Sequence, residues 1–367
     1  MTGYFFIMEK LKTEKLMARA ISLAIKGMGH TSPNPVVGCL IVKNDKIIAS
    51  DYHHKAGQPH AEILALNKAG KAAKGAVLYV TLEPCCLYGR TPPCTEAIIQ
   101  AGIKKVVIGI PDPNPDVNGR GIKKLEKAGI DVVTGSLEEQ CRDLNKGYNK
   151  YITTGLPYVT IKYAQSLDGR IATKTGSSRW ISSDESLEFA HKLRAHYDAI
   201  LVGAETANND DPQLTVRLVK GKNPVRVILT SSGRIKNNLQ IFLDGISTII
   251  ATGSKGLDNF KRKNIDNIEL IKLPEKSGSL NLKVLLQKLA DRGITSLLIE
   301  GGSKTITGFI KQKLADRIIV VTAPILIGDG INSIGDLGIK TINNSFKLNN
   351  IKYRKLGIDN IVVGDLS

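Results

Sequence analysis

Aromatic residues are scarce, 5% of 367 positions, with Trp180 the single tryptophan. So thin a supply leaves no stacking platform of the kind that binds single-stranded nucleic acid. No stretch approaches the roughly 18 uninterrupted apolar residues that a membrane-spanning helix needs, so a soluble protein without membrane contacts is expected. The apolar run Tyr4–Met8 is shorter than a signal-peptide core and has no basic residue before it, which argues against an export segment. Met8, followed by Glu9-Lys10-Leu11-Lys12, reads as an alternative start. Internal repeats, low-complexity tracts and long runs of like charge are also missing. Acidic residues are the minority, 34 against 51 basic ones, for a net charge of +17. That excess favours anionic partners, although scattered lysines on a solvated surface would give the same total.

Cysteine is few and odd in number: Cys39, Cys85, Cys86, Cys94 and Cys141. Three of the thiols fall close together, which points to metal binding or catalysis in a reducing cytoplasm rather than to a disulfide framework. What is present is the composition of a folded protein, 42% hydrophobic and 23% charged, at a length that suits two domains, each burying its own core.

Hydrophobic patterning divides the chain in two. An amphipathic stretch from about Thr13 to Met28 predicts a helix, followed by a loop with Pro33 and Pro35 and an apolar run, Val36 to Val42, that reads as a buried strand. Strands are then expected at Lys46–Ser50, Ala76–Leu82 and Lys105–Ile110, and helices at His60–Lys68 and Thr95–Gln100. Such alternation implies a three-layer α/β domain with a largely buried sheet. Gly119 and Gly121 suggest a dinucleotide fingerprint, but Lys124 stands where the third glycine belongs, so the pair reads as a turn. A polar helix from Leu137 to about Lys150 leads to Gly155-Leu156-Pro157, the expected junction. Beyond it the pattern restarts, with strands at Tyr158–Tyr163, Ala199–Gly203, Val225–Thr230, Thr248–Thr252 and Ser296–Glu300, and helices at Glu185–Ala195 and Leu282–Leu289. The Glu300-Gly301-Gly302 turn leads into a helical stretch from Thr305 to Leu314. Glycines there let the backbone approach a ligand, and a helix start offers N–H groups to a phosphate.

The strongest chemical signal is His60-Ala61-Glu62, followed by Pro84-Cys85 and then Cys94. One imidazole and two thiolates can take three positions of a tetrahedral zinc and leave the fourth for water, the arrangement of a catalytic site. A zinc so placed lowers the pKa of its water toward about 7. Glu62, at the opening of a helix, can take a proton from that water and deliver it to a leaving amine. Zinc nucleobase deaminases space their second ligand pair as Cys-x-x-Cys. Here Tyr88 occupies that place, and Cys94 follows across Gly89, Pro92 and Pro93, which can fold the excursion back. Cys94 would then open a helix, where the dipole favours a thiolate. Cys39, Cys86 and Cys141 are expected to be packing residues.

The segments 31–38 (TSPNPVVG), 56–62 (AGQPHAE), 81–85 (TLEPC), 89–94 (GRTPPC) and 111–115 (PDPNP) resemble the deaminase half of the riboflavin-biosynthesis bifunctional deaminase/reductases. The resemblance implies a cytidine-deaminase-like domain over 1–152, one Zn2+ on His60, Cys85 and Cys94, Glu62 as proton shuttle, and substrate contacts from Asn34, His53 and Arg90. This chain departs from the family at Cys86-Leu87-Tyr88, where a histidine commonly follows. If that histidine holds substrate, Leu87 weakens the site without touching its metal chemistry.

Segments 162–169 (KYAQSLDG), 178–182 (SRWIS), 193–195 (LRA), 199–203 (AILVG), 210–217 (DDPQLTVR) and 298–302 (LIEGG) resemble the family's reductase half, which implies a dihydrofolate-reductase-like α/β domain over 153–367. Carried over with it are Lys162, Asp210 and Glu300 as polar residues around the reacting sugar. An NADPH site is implied at Ala164, Trp180, Thr206, Asp210, Ser231, Gly301, Gly302, Ser303, Lys304, Thr305, Ile306, Thr307 and Gly308. Substrate contacts are implied at Ser178, Arg194, Leu214, Arg217 and Glu300. Two arginines can grip a ribose phosphate by paired hydrogen bonds and fix the sugar for reduction. Lys162 and Asp168 could alternatively form a structural ion pair. The resemblance implies a cytoplasmic homo-oligomer that acts on phosphorylated pyrimidines and has no nucleic-acid partner. The net charge would equally suit an RNA deaminase, but the long Cys85–Cys94 spacing and the Glu300-Gly301-Gly302 element argue against one. A zinc-stabilised nucleic-acid-binding protein would need a fourth metal ligand and leave Glu62 without a purpose.

Overall fold

The computed structural model describes residues 2–88, 92–261, 267–276 and 278–366, the side chains of 2–6, 261 and 276 excepted. The chain divides into two compact units, residues 1–155 and 156–367.

The first unit runs α1 (Thr2–Ala24), β1 (Gly38–Lys43), β2 (Lys46–Tyr52), α2 (Ala61–Ala69), β3 (Val77–Leu82), α3 (Cys94–Gln100), β4 (Lys105–Ile110), α4 (Arg120–Lys127), β5 (Asp131–Thr134), α5 (Glu138–Leu144) and α6 (Lys146–Thr154). Its sheet has the order β2-β1-β3-β4-β5, antiparallel across β2-β1-β3 and parallel across β3-β4-β5. β3 and β4 are buried along nearly their whole length, which is why they read as continuous apolar runs.

Two helices of this unit depart most from the sequence reading, and the first of them, α1, begins at Thr2 rather than at about Thr13. α1 stops at Ala24 and tightens into a single 3-10 turn, Ile25–Gly27, instead of reaching Met28. A side chain at Gly27 would lie 2.6 Å from the His53 carbonyl oxygen, so the chain must turn where a glycine permits that approach. The helix expected over Leu137–Lys150 is two, α5 and α6, broken at Asn145. The Asn145 side chain is buried and bonds both backbone groups of Val36, accepting from its N–H and donating to its carbonyl, each at 2.9 Å. The Gly119–Gly121 turn caps α4, with Gly119 at φ +77°.

The second unit runs β6 (Tyr158–Ser166), β7 (Arg170–Thr173), α7 (Asp184–His196), β8 (Ala199–Gly203), α8 (Ala204–Asp210), β9 (Val225–Thr230), β10 (Thr248–Thr252), α9 (Ser254–Lys261), β11 (Ile268–Lys272), β12 (Glu275–Lys276), β13 (Ser279–Leu280), α10 (Leu282–Ala290), β14 (Ser296–Ile299), α11 (Ser303–Lys311), β15 (Arg317–Ala323), β16 (Gly330–Asn332), β17 (Leu348–Leu356) and β18 (Asp359–Leu366). Its main sheet has the order β11-β10-β9-β8-β14-β6-β15-β18-β17, parallel from β11 to β15 and antiparallel beyond. Parallel order sends the C-terminal ends of β9, β8, β14 and β6 to one edge, where open α/β sheets bind ligands. β17 is exposed nearly throughout, so it carries no apolar period and went unread in the sequence.

Candidate active sites

In the first unit three side chains meet. His60, extended at φ −71° and ψ 163°, caps the start of α2. Cys85 leaves the end of β3, and Cys94 is the first residue of α3, after the excursion closed by Pro93. His60 Nδ1 lies 3.6 Å from Cys85 Sγ and 3.3 Å from Cys94 Sγ, and the three ligand atoms fall within 4.8 Å of one another. A tetrahedral zinc, about 2.0–2.1 Å from nitrogen and about 2.3 Å from sulfur, would set such donors about 3.5 Å apart. The donor set and its spacing therefore fit the metal.

A metal needs thiolates and a neutral imidazole, and of the three donors only Cys85 is shifted that way by its neighbours. Hydrogen bonding from Cys94, and then from His60, holds the Cys85 thiol well below its ordinary value, and Cys85 in turn raises His60 to about 9. The backbone N–H of Cys94 also donates to Cys85 Sγ at 3.3 Å. The helix start does not make Cys94 the thiolate of the pair: its bond to Cys85, burial and the Glu62 charge all push its pKa up. A bound metal ion would deprotonate both thiols outright. Glu62 is 3% exposed, burial lifts its carboxyl above the usual range, and its Oε2 has no hydrogen-bond partner among the described residues. A buried carboxyl with a raised pKa and an unspent oxygen beside three metal donors is placed to move protons.

Asn34 and His53 stand together next to this group. His53 is buried, its ring edge-on to that of His60 at 5.3 Å. Its Nδ1 is 3.2 Å from the Pro59 carbonyl, which can only accept, so the proton sits there and Nε2 accepts from Asn34 Nδ2 at 3.3 Å. Burial lowers the His53 pKa, in keeping with that neutral form. Arg90 lies outside the described residues. Leu87 is 43% exposed, and the Tyr88 hydroxyl donates to Glu96 at 2.6 Å. Cys39 and Cys141 are buried and Cys86 partly so, all three as free thiols.

In the second unit Glu300 closes β14, next to the strand that bears Lys162. Arg194, from the last turn of α7, forks onto it, Nη2 to Oε2 at 2.6 Å and Nε to Oε1 at 3.3 Å. Burial alone would raise the Glu300 carboxyl, but Arg194 and Lys162 outweigh it and hold it below the usual range. Burial pushes Lys162 down, opposed by Glu300. Arg217 joins through Thr215, whose hydroxyl accepts from Arg217 Nη1 at 2.6 Å and whose carbonyl accepts from Arg194 Nη1 at 3.3 Å. The sequence reading missed His191, a histidine of α7 whose buried Nδ1 accepts the Arg217 backbone N–H at 2.9 Å.

Asp210, at the end of α8, accepts from Ser178 at 3.0 Å, and the Arg179 side chain donates to its carbonyl. Thr206 accepts the Gly302 N–H at 3.0 Å. Any side chain at Gly301 would press on Thr305, 2.9 Å away, so this glycine first of all lets α11 approach β14. Ile306 is buried in the core, Thr307 bonds the Ser303 carbonyl, and Lys304 pairs with Glu205. Ser231, Trp180 and Gly308 reach or approach the surface, and Ala164 is half-buried on β6. The Leu214 side chain is packed in the core. Asp168 accepts from Ser166 and from the backbone of Ile327 and Gly328, so it clamps a loop, and no ion pair to Lys162 occurs among the described residues. No described helix is long and apolar enough to cross a membrane.

Residues 10–110 match the family described as the cytidine and deoxycytidylate deaminase zinc-binding region, and residues 157–362 match the RibD C-terminal domain. The chain is 47% identical over 350 residues to the riboflavin biosynthesis protein RibD of Aquifex aeolicus, covering 94% of this chain and 96% of that one. It is 39% identical over 359 residues to RibD of Escherichia coli, covering 94% and 97%. A Thermotoga maritima crystal structure, described as a diaminohydroxyphosphoribosylaminopyrimidine deaminase/5-amino-6-(5-phosphoribosylamino)uracil reductase, superposes with a TM-score of 0.86 at 37% identity, covering 98% of this chain and 100% of that chain. The α/β fold class expected in each unit, cytidine-deaminase-like and then dihydrofolate-reductase-like, holds.

Proposed function

The chain belongs to the RibD family of bifunctional deaminase/reductases of riboflavin biosynthesis, and from that membership we propose which residues carry each reaction and on what substrate. It is a zinc-dependent hydrolase in its first half and an NADPH-dependent oxidoreductase in its second. The deaminase substrate is 2,5-diamino-6-ribosylamino-4(3H)-pyrimidinone 5′-phosphate, which loses its 2-amino group. The reductase then converts the ribosyl group of that product to ribityl. We assign the first reaction to residues 1–152 and the second to 153–367, a boundary within the last turn of α6.

His60, Cys85 and Cys94 hold the zinc, which when bound supplies a water that ionises near neutral pH. Glu62 accepts a proton at its free carboxylate oxygen and returns it to the departing amine, a transfer its raised pKa suits. Asn34 and the neutral His53 orient the pyrimidine, with Arg90 as a further contact. The reading rests above all on the meeting of three zinc-spaced donors beside the buried, unpartnered Glu62 oxygen.

In the second half NADPH supplies the hydride when bound. Lys162, Asp210 and Glu300 surround the reacting sugar, and Arg217, Arg194 and Ser178 grip the substrate, with Leu214 contributing its backbone because its side chain is in the core. Ala164, Trp180, Thr206, Ser231 and the run from Gly301 to Gly308 line the cofactor site. In that run the backbone N–H groups at the start of α11 are the phosphate donors, since most of its side chains have other partners. We place the enzyme in the cytoplasm, which suits its five free thiols, and propose a homo-oligomer, since the outer strand β17 exposes Ile351 and Tyr353. Incubating the purified chain with the diamino substrate, with and without NADPH, and weighing the products tests both halves. Ammonia release without NADPH and a ribityl product with it are expected, and an unchanged substrate would refute the assignment.

A further inference from the structure

Glu83 follows directly on β3 and precedes Cys85 by two residues. Its side chain is 3% exposed, and four backbone N–H groups bond it with no ion pair to it among the described residues. Oε2 accepts from Asp112 at 3.1 Å and Gly119 at 2.9 Å, and Oε1 accepts from Gly121 at 2.9 Å and Ile122 at 3.2 Å. Gly119 is the cap of α4, and Gly121 and Ile122 lie in its first turn, so the helix dipole also opposes the charge. The glycine pair that reads as a turn in the sequence thus encloses a carboxylate of the protein itself. A side chain at Gly121 would collide with the Pro84 carbonyl, so α4 also presses on the residue between Glu83 and Cys85.

Cys85 is fixed from its other side by α3, whose Thr95 N–H donates to the Cys85 carbonyl at 3.2 Å and whose Cys94 N–H donates to the Cys85 sulfur at 3.3 Å. Glu83 supplies the opposite hold. We propose that Glu83 is a positioning residue of the metal centre: its carboxylate locks the 112–122 segment onto the chain leading into Cys85, and so sets the place of one metal ligand. This rests on the reading of His60, Cys85 and Cys94 as zinc ligands. A ligand whose backbone is fixed in advance binds metal without reorganising, and loss of such supporting contacts typically lowers metal affinity about 10- to 100-fold.

The test is Glu83→Gln in the full chain. The amide keeps the size of the side chain but turns an NH2 toward two N–H donors, so at least one anchor is lost. Zinc is titrated against a chromogenic chelator, and the visible spectrum of cobalt-substituted protein is recorded for parent and variant, with circular dichroism to confirm folding. Expected are zinc affinity lower by about tenfold or more and displaced cobalt d–d and thiolate charge-transfer bands. NADPH-dependent reduction of deaminated substrate should be unchanged. A role confined to holding α4 would lower the melting temperature and leave the cobalt spectrum alone, and a folded variant with the parent's spectrum and affinity overturns the proposal. Should Glu83→Gln not fold, Glu83→Asp, which keeps the charge but shortens the reach, decides by the same spectral criterion. A parent protein that binds no zinc would instead sink the metal reading itself.

Discussion

Arg194 grips Glu300 with two prongs, 2.6 Å and 3.3 Å, while among the described residues the Arg217 guanidinium bonds the hydroxyl of Thr215 alone. The two arginines are therefore not equivalent. Arg194 is committed to a carboxylate that is only 11% exposed, and Arg217 is the freer to take a phosphate. Arg217→Ala should weaken reduction by about 2 kcal/mol or more in kcat/KM, chiefly through KM, with the fold intact. Arg194→Ala leaves Glu300 buried without its partner, so it should also destabilise the second unit by about 3–5 kcal/mol. Steady-state kinetics and thermal melts of both variants would separate these outcomes; equal losses of stability would count against the distinction.

Glu62→Gln retains shape but cannot carry the proton. Deamination should fall roughly 100-fold or more, with zinc content unchanged. Reduction of separately supplied deaminated substrate should continue at the parent rate. A still-folded variant that lost both reactions would mean that they share a site.

One zinc per chain is expected after thorough dialysis. Stripping it with a chelator should abolish ammonia release and leave NADPH oxidation intact, and added zinc should restore the first activity. Metal analysis of a Cys85→Ala/Cys94→Ala double variant should find none, and zinc retained there would place the ion elsewhere.

Leu87 stands two residues after Cys85, a proposed zinc ligand, and is 43% exposed, at the position where the family resemblance implies a histidine. Leu87→His adds a donor and acceptor in that position and should lower KM for deamination with little change in kcat. A KM that stays level or rises shows that position 87 makes no substrate contact in this chain.

Burial, with the nearby charges of Arg194 and Arg217, depresses His191 to about 4. Its unfolded value is about 6.5, so between those limits the unfolded chain takes up a proton that the folded chain refuses. The stability linked to His191 is therefore complete above about pH 6.5 and is lost as pH falls toward about 4. The melting temperature of the second unit should drop over that window, and His191→Gln should flatten the drop. An identical pH slope in parent and variant would remove His191 from the account.

Local chemistry and period were legible in the sequence. β4, β8, β9 and β10 begin and end where the apolar runs place them, because strands buried on both faces are largely apolar, and the buried Arg226 of β9 is paired with Asp244. His60, Glu62, Cys85 and Cys94, proposed here for zinc and proton chemistry, stood out because that chemistry admits few residue types, and the structure brings His60, Cys85 and Cys94 together. Only the tertiary structure decided what long-range partners do with ordinary residues. It made Glu83 a carboxylate held by four N–H groups, Asn145 a clamp on Val36 and Asp168 a loop anchor, and it paired Arg194 with Glu300. None of these is marked by spacing, since each partner lies far along the chain and the backbone groups involved are the same in every residue. Strand β17 stayed hidden for the converse reason: exposed on both faces, it has no burial pattern for a sequence to record.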